Sequence, residues 1–133
     1  MSRICLVACA SIKLNHSAPA GELYVSALFE KSRTWAKKTC DRWYILSAKH
    51  GLLDPNQVIE PYNVTLNDMG VNDRKRWSAQ VLNTLLEQTT PIDHIVFLAG
   101  MNYRKFLEPN LRLCGYKVEV PLVGLRIGEQ LQW

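Results

Sequence analysis

Tyr44-Ile-Leu-Ser-Ala-Lys-His-Gly-Leu-Leu-Asp-Pro55, followed by Ile59-Glu-Pro-Tyr62, is the stretch on which the fold turns. Trp43, Tyr44, Ile45 and Leu46 form a short apolar run of strand-favouring residues. Ser47, Lys49 and His50 then place a hydroxyl, a cation and a titratable base where that strand should stop, and Gly51 permits a turn. A buried strand running straight into polar groups suits an open α/β sheet, in which ligands gather beyond the carboxyl ends of strands. An ordinary solvated loop closed by a turn glycine would carry the same residues.

Outward from this strand, over Arg42 to Ser47, the chain alternates strands and helices. Arg3 to Cys9 reads as a first strand and Ala10 to Gly21 as a polar loop holding Asn15, His16 and Pro19. Helical spacing of Leu23, Ala27, Leu28, Trp35 and Ala36 predicts a helix from Leu23 to Thr39. Ala48 to Asn72 has Gly, Pro and Asn but little period, and long loops in compact domains are usually functional. Asn72 or Asp73 can cap a second helix ending near Gln88, with Trp77, Val81, Leu82 and Leu85 on one face. Ile92 to Ala99 reads as a third strand, Asn102 to Cys114 as a helix interrupted near Pro109, and Tyr116 to Val120 as a fourth strand after Gly115. The expected architecture is a single three-layer α/β domain over residues 1–133, with a mainly parallel four-stranded sheet flanked by helices. The tail from Leu122 to Trp133 keeps Leu125, Ile127, Leu131 and Trp133 and is expected to dock.

With 133 residues, 47% hydrophobic and 21% charged, the chain can bury a core without a metal or disulfide staple. No apolar run approaches the ~20 residues of a membrane span. Ser11 and Lys13 end the opening apolar run short of the ~7–15 residues of a signal peptide, so it reads as a buried strand in a cytoplasmic protein. Cys5, Cys40 and Cys114 read as reduced, mostly buried thiols, and no zinc spacing is present; neither metal nor cofactor is expected. Cys9 differs, because it ends its strand beside Ser11 and Lys13, where an ammonium can lower a thiol pKa. The net charge of +4 and pI of about 9.0 favour an anionic partner such as nucleic acid. Basic residues cluster at Lys31, Arg33, Lys37, Lys38 and Arg42 and again at Arg74, Lys75 and Arg76, although solvated helix faces look alike.

Four polar groups fall at predicted strand ends: Cys9, Ser11 and Lys13; Ser47, Lys49 and His50; Gly100, Asn102, Tyr103 and Arg104; and Gly124, Arg126, Gly128 and Glu129. If the strands are parallel, these loops share one rim and can enclose a cleft. No phosphate-loop or dinucleotide fingerprint follows a strand, and no nucleophile elbow is present. His50, with an ordinary pKa of ~6.5, can act as acid or base or hold an anion. Lys49 can hold phosphate, Glu60 can position water or sit as a surface carboxylate, and Tyr24, Tyr62 and Tyr103 can stack on bases or fill space.

Cys9-Ala-Ser-Ile-Lys13, Ala18-Pro-Ala-Gly-Glu-Leu-Tyr-Val-Ser26, Phe29, Ile45-Leu-Ser-Ala-Lys-His-Gly-Leu-Leu53, Ile59-Glu-Pro-Tyr62 and Gly124-Leu-Arg-Ile-Gly-Glu-Gln-Leu131 together resemble the DUF6884 family of small bacterial and phage proteins. The central pattern is also similar to that of the YaaA peroxide-stress DNA-binding proteins and, more distantly, to uracil-DNA-glycosylase-like domains. The resemblance implies a uracil-DNA-glycosylase-like fold and a nucleobase or nucleic acid, chiefly DNA, as ligand. The water-activating and leucine-loop motifs of ordinary uracil-DNA glycosylases are missing, so other residues would carry any such chemistry. Hydrolysis of an N-glycosidic bond needs a group to orient water, a group to stabilise the oxocarbenium ion, and donors for the leaving base. Asn15, Glu60 and Asn102 suit the first two needs, and Lys13, Lys49 and His50 the third. Cys9, Ser11, Lys13, Tyr24, Ser47, Gly51, Tyr62, Gly100, Tyr103, Arg104 and Arg126 are the expected substrate-binding residues. The implied activity is a DNA glycosylase acting on an unusual or modified base, as in phage defence. A DNA-binding stress protein without catalysis and a small-molecule nucleotide hydrolase or transferase are the alternatives.

Overall fold

The computed structural model describes residues 2–10 and 12–120. Its strands are β1 (Arg3–Ala8), β2 (Ala18–Pro19), β3 (Arg42–Ser47), β4 (Gly51–Leu53), β5 (Val58–Ile59), β6 (His94–Leu98) and β7 (Lys117–Glu119). Its helices are α1 (Ala20–Leu23), α2 (Ala27–Thr39), α3 (Val71–Gln88), α4 (Met101–Arg104) and α5 (Glu108–Leu113). The main sheet has five strands in the order β4-β3-β1-β6-β7, and β2 pairs with β5 in a small ladder of its own.

The four predicted strands lie side by side and parallel. The expectation of a four-stranded sheet is corrected by β4, which folds back antiparallel to β3 with Ser47 opposite Gly51 and Ile45 opposite Leu53. Three residues are too few to show a period. Gly51 reverses the chain there at φ 71°, in the left-handed region that side chains with a Cβ avoid.

Alternation along the strands divides the core into two layers. Ile4, Leu6, Leu46, Ile95 and Phe97 face Trp77, Val81 and Leu85 of α3 and Leu111 of α5. Cys5, Val7, Ile45, Val96 and Leu98 face Leu23 of α1 and Phe29 and Ala36 of α2. Each fully buried aliphatic or aromatic side chain of this kind contributes about 1.5–3 kcal/mol.

Helix boundaries follow local chemistry. Ser26 caps α2, its hydroxyl accepting the Phe29 N–H at 3.1 Å, so the helix starts four residues after Leu23. Gly70, not Asn72 or Asp73, is the N-cap of α3, and the Arg74 N–H closes the first turn on the Gly70 carbonyl at 3.0 Å. Pro109 lies in the first turn of α5, where its missing N–H costs nothing, so the break between α4 and α5 comes before it.

The expectation of reduced, mostly buried thiols at Cys5, Cys40 and Cys114 is also corrected. Cys5 of β1 and Cys40, the C-cap of α2, form a disulfide with Cα atoms 6.1 Å apart, and the free Cys114 is exposed. Strand pairing and helix return bring together two cysteines that no short spacing links. Among the described residues no helix is long and apolar enough to cross a membrane.

Candidate functional site

β1 is followed by α2 on one face of the sheet, whereas its neighbour β6 is followed by α5 on the other. Divergence of this kind opens a crevice at the carboxyl ends of the two strands. Cys9 comes off β1, its N–H bonded to the Leu46 carbonyl at 3.0 Å, and Tyr103 comes from α4 beyond β6. Cys9 Sγ and the Tyr103 hydroxyl meet across the crevice at 3.2 Å. Behind them the Trp77 ring stands edge-on to Tyr103 at 5.7 Å, and the Trp77 indole N–H donates to the Ser47 carbonyl at 2.9 Å.

The end of β3 supplies the second half. Ser47 is fully buried, and its hydroxyl accepts the His50 N–H at 3.0 Å while sharing a hydrogen bond with the Tyr62 hydroxyl at 2.7 Å. The Tyr62 hydroxyl in turn meets that of Tyr24 at 2.5 Å. Tyr62 is brought back to this point because β5, just before it, is pinned to β2 through Ile59 opposite Ala18. Three basic side chains surround the Tyr62 ring: Lys13 Nζ lies 4.6 Å from its centre, Lys49 Nζ 5.9 Å, and the His50 ring stands edge-on at 5.4 Å. Lys13 also sits 5.7 Å from the centre of the Tyr24 ring and is joined to Tyr24 by an antiparallel bridge.

Burial sets the protonation of this group. It pushes the Tyr24 hydroxyl up to about 12 and raises Tyr62 and Tyr103 as well, Cys9 adding to the effect, so all three remain protonated donors near neutrality. Burial lowers Lys13, partly offset by Cys9, and it lowers His50 with help from the Lys49 charge. The result is a set of hydroxyl, ammonium and imidazole groups around one aromatic ring, with a thiol beside it. Such a group can donate hydrogen bonds to an anion and stack against a planar ligand.

The structure brings Cys9, Lys13, Tyr24, Ser47, Lys49, His50, Tyr62 and Tyr103 together. Other candidates stand elsewhere. Asn15 and Glu60 are exposed on loops beyond Lys13 and before Tyr62. Asn102 accepts a hydrogen bond from Arg74 Nη1 at 3.4 Å. Arg104, expected to bind substrate, braces its own segment by donating to the Ala99 carbonyl at 2.9 Å and the Glu108 carboxylate at 3.0 Å. Gly100 is the N-cap of α4, and Gly51 makes the β3–β4 turn. Ser11, Gly124, Arg126, Gly128 and Glu129 lie outside the described residues.

The arginines of the basic clusters make contacts within the fold, while Lys37 and Lys38 are exposed. Arg74 donates to the Leu66 carbonyl at 2.9 Å, Arg76 pairs with Asp73, Arg33 donates to the Gly21 carbonyl at 2.7 Å, and Arg42 approaches Asp93 at 3.9 Å. Hollows of about 400 and 450 Å³ lie beside Trp43 and along the outer side of α2 near Trp35, and neither is lined by a residue of the tyrosine cluster. Among the described residues no group of three His, Cys, Asp or Glu side chains is placed to hold a metal ion. Trp77 joins the site although the sequence presents it as one apolar position of the α3 face beside a basic cluster. Its helical spacing is that of a core residue, and only the strand end beneath it shows that its N–H has a task.

Comparison with known proteins gives relatives without an assigned activity. Over 117 residues the chain is 30% identical to an uncharacterized protein of Bacillus subtilis (strain 168), YfjM, covering 81% of this chain and 76% of that protein. No solved structure matches. The model of DUF6884, described as a family of unknown function, matches residues 4–133, and the chain belongs to that family.

Proposed function

We propose that the protein is a nucleobase-directed hydrolase of N-glycosidic bonds in nucleic acid, chiefly DNA, selecting an unusual or modified base as a phage-defence glycosylase would. The observation that carries this reading is the grouping of Lys13, Lys49 and His50 around the Tyr62 ring. A flipped base can stack on an aromatic face, and cationic or neutral N–H donors at its edge favour the negative charge it gathers on leaving. Tyr62, held protonated and tied through its hydroxyl to Ser47 and Tyr24, supplies the ring against which the base stacks. On this reading Asn15 and Glu60, on the loops next to Lys13 and Tyr62, and Asn102 of α4 serve the sugar, one orienting water and another supporting the oxocarbenium ion. The three-layer arrangement of the described residues, with its polar rim at the carboxyl ends of the strands, supports a uracil-DNA-glycosylase-like fold. The protein would act in the cytoplasm, where the Cys5–Cys40 bond is open to reduction.

The test is mass spectrometry of bases released from DNAs carrying uracil, modified cytosines and natural phage modifications, followed by alkali to cleave abasic sites. Release of one class of base, lost in the His50→Ala and Glu60→Ala variants, is the expected outcome. Salt-sensitive DNA binding with no base released from any DNA would favour a non-catalytic DNA-binding protein. Turnover of free nucleosides instead would point to a small-molecule enzyme.

A further inference from the structure

Lys13 differs from the other cations of the rim in how it is held. Its backbone pairs with Tyr24 in an antiparallel bridge, so its side chain starts from a fixed ladder, whereas Lys49 is on the exposed turn between β3 and β4. Its Nζ lies within 6 Å of two aromatic rings, 4.6 Å from the centre of Tyr62 and 5.7 Å from that of Tyr24. We infer that Lys13 is an amine nucleophile toward C1′ of an abasic 2′-deoxyribose, giving the site a strand-cleaving lyase activity in addition to base release. This rests on the reading that the site takes up nucleic acid at a base-releasing sugar.

The chemistry balances with water and protons alone. The Nζ lone pair of the neutral amine adds to C1′ of the ring-opened aldehyde, and the resulting carbinolamine loses water to give a protonated imine. That imine acidifies C2′. A base removes the C2′ proton, the C3′–O bond breaks, and the 3′-phosphate leaves with the bonding electrons. Hydrolysis of the imine then restores the lysine. His50 faces the same Tyr62 ring, edge-on at 5.4 Å, and its neutral imidazole is the group placed to take the C2′ proton. Burial assists both partners: it lowers the Lys13 ammonium and the His50 imidazolium, which raises the neutral fraction of each.

Borohydride trapping on an oligonucleotide with a preformed abasic site tests this without requiring base release. Reduction fixes the imine as a covalent protein–DNA adduct, which proteolysis and mass spectrometry locate. The expected result is an adduct on the peptide containing Lys13, reduced at least about tenfold in Lys13→Ala and Lys13→Arg and undiminished in Lys117→Ala, on exposed β7. Arginine keeps a cation over Tyr62 but stays protonated and cannot form the imine. Should Lys13→Ala fail to fold, Lys13→Arg and the mapped wild-type adduct decide the matter. No adduct with the wild type, full trapping by Lys13→Arg, or an adduct mapped to another amine would overturn the proposal. Base release measured in parallel separates the two readings. Release without trapping removes the lyase alone, and trapping on abasic DNA without release from any intact DNA removes the glycosylase and leaves the lyase.

Discussion

The Tyr62 hydroxyl lies 2.7 Å from Ser47 Oγ, joining the loop after β5 to the last residue of β3. The same buried oxygen accepts the His50 N–H, so one hydroxyl holds both the turn and the aromatic ring around which the basic groups collect. Ser47→Ala leaves the His50 N–H and the Tyr62 hydroxyl each short of a partner. A buried polar group left unsatisfied costs about 1–3 kcal/mol. A fall in thermal midpoint of roughly 3–10 °C is therefore expected by scanning calorimetry. An unchanged midpoint would mean that water replaces the lost hydroxyl.

His50 is held through its backbone, which leaves the imidazole for function. His50→Ala is expected to keep the wild-type melting temperature while lowering the single-turnover rate on the true substrate by roughly a hundredfold or more. Unfolding, or cleavage at the normal rate, would make this segment a structural turn.

The imidazole also has a signed pH response. Its pKa in the fold is below the ordinary 6.5, through burial and the Lys49 charge, so the unfolded chain binds this proton more readily. The associated stability is present above pH 6.5 and is lost as the pH falls through the folded value. The imidazole resonance of His50 should titrate below 6.5 by NMR and move upward in Lys49→Ala. An unmoved midpoint in that variant would separate the two side chains.

The sequence reveals β3 at its observed bounds, because an aromatic and β-branched run gives way abruptly to Ser47, Lys49 and His50. It also reveals the alternation that makes four of the five strands parallel. What it conceals is non-local or short. Gly51–Leu53 is too brief to show a period and takes its strand character from pairing with β3. The Ser47–Tyr62 and Cys9–Tyr103 contacts join residues 15 and 94 positions apart, and no spacing rule specifies them. Arg104 and Arg74 read as free cations until the carbonyls they satisfy are seen. Asn15 and Glu60 read as site carboxamide and carboxylate, and both stand on exposed loops, Asn15 two residues after Lys13 and Glu60 two residues before Tyr62.

The alkaline limb of stability should report the buried tyrosines. Tyr24 is fully buried with its pKa raised from 10.0 to about 12, so the folded state keeps a proton that the unfolded state releases earlier. The linked stability is complete below pH 10 and drains away between pH 10 and about 12. Tyr62 and Tyr103 shift in the same direction. Chemical denaturation across this range should show a falling midpoint, less steep in Tyr24→Phe, and tyrosinate absorbance should rise in step with unfolding. Ionisation of all five tyrosines well ahead of unfolding would contradict this.

The Cys5–Cys40 bond closes a segment of 35 residues that contains β2, α1 and α2. Loop-closure entropy removed from the unfolded chain by a link of that length is worth about 4 kcal/mol. Because Cys40 is the C-cap of α2, the bond also anchors the last turn of that helix to β1 in the centre of the sheet. Reductant should lower the thermal midpoint by several degrees and speed hydrogen exchange in the last turn of α2. Cys40→Ser should melt like the reduced wild type and ignore reductant, and Cys114→Ser, on the exposed free thiol, should behave like the wild type in both conditions. Equal midpoints with and without reductant, together with two free thiols more than Cys9 and Cys114 supply, would show that β1 and α2 hold together by packing alone.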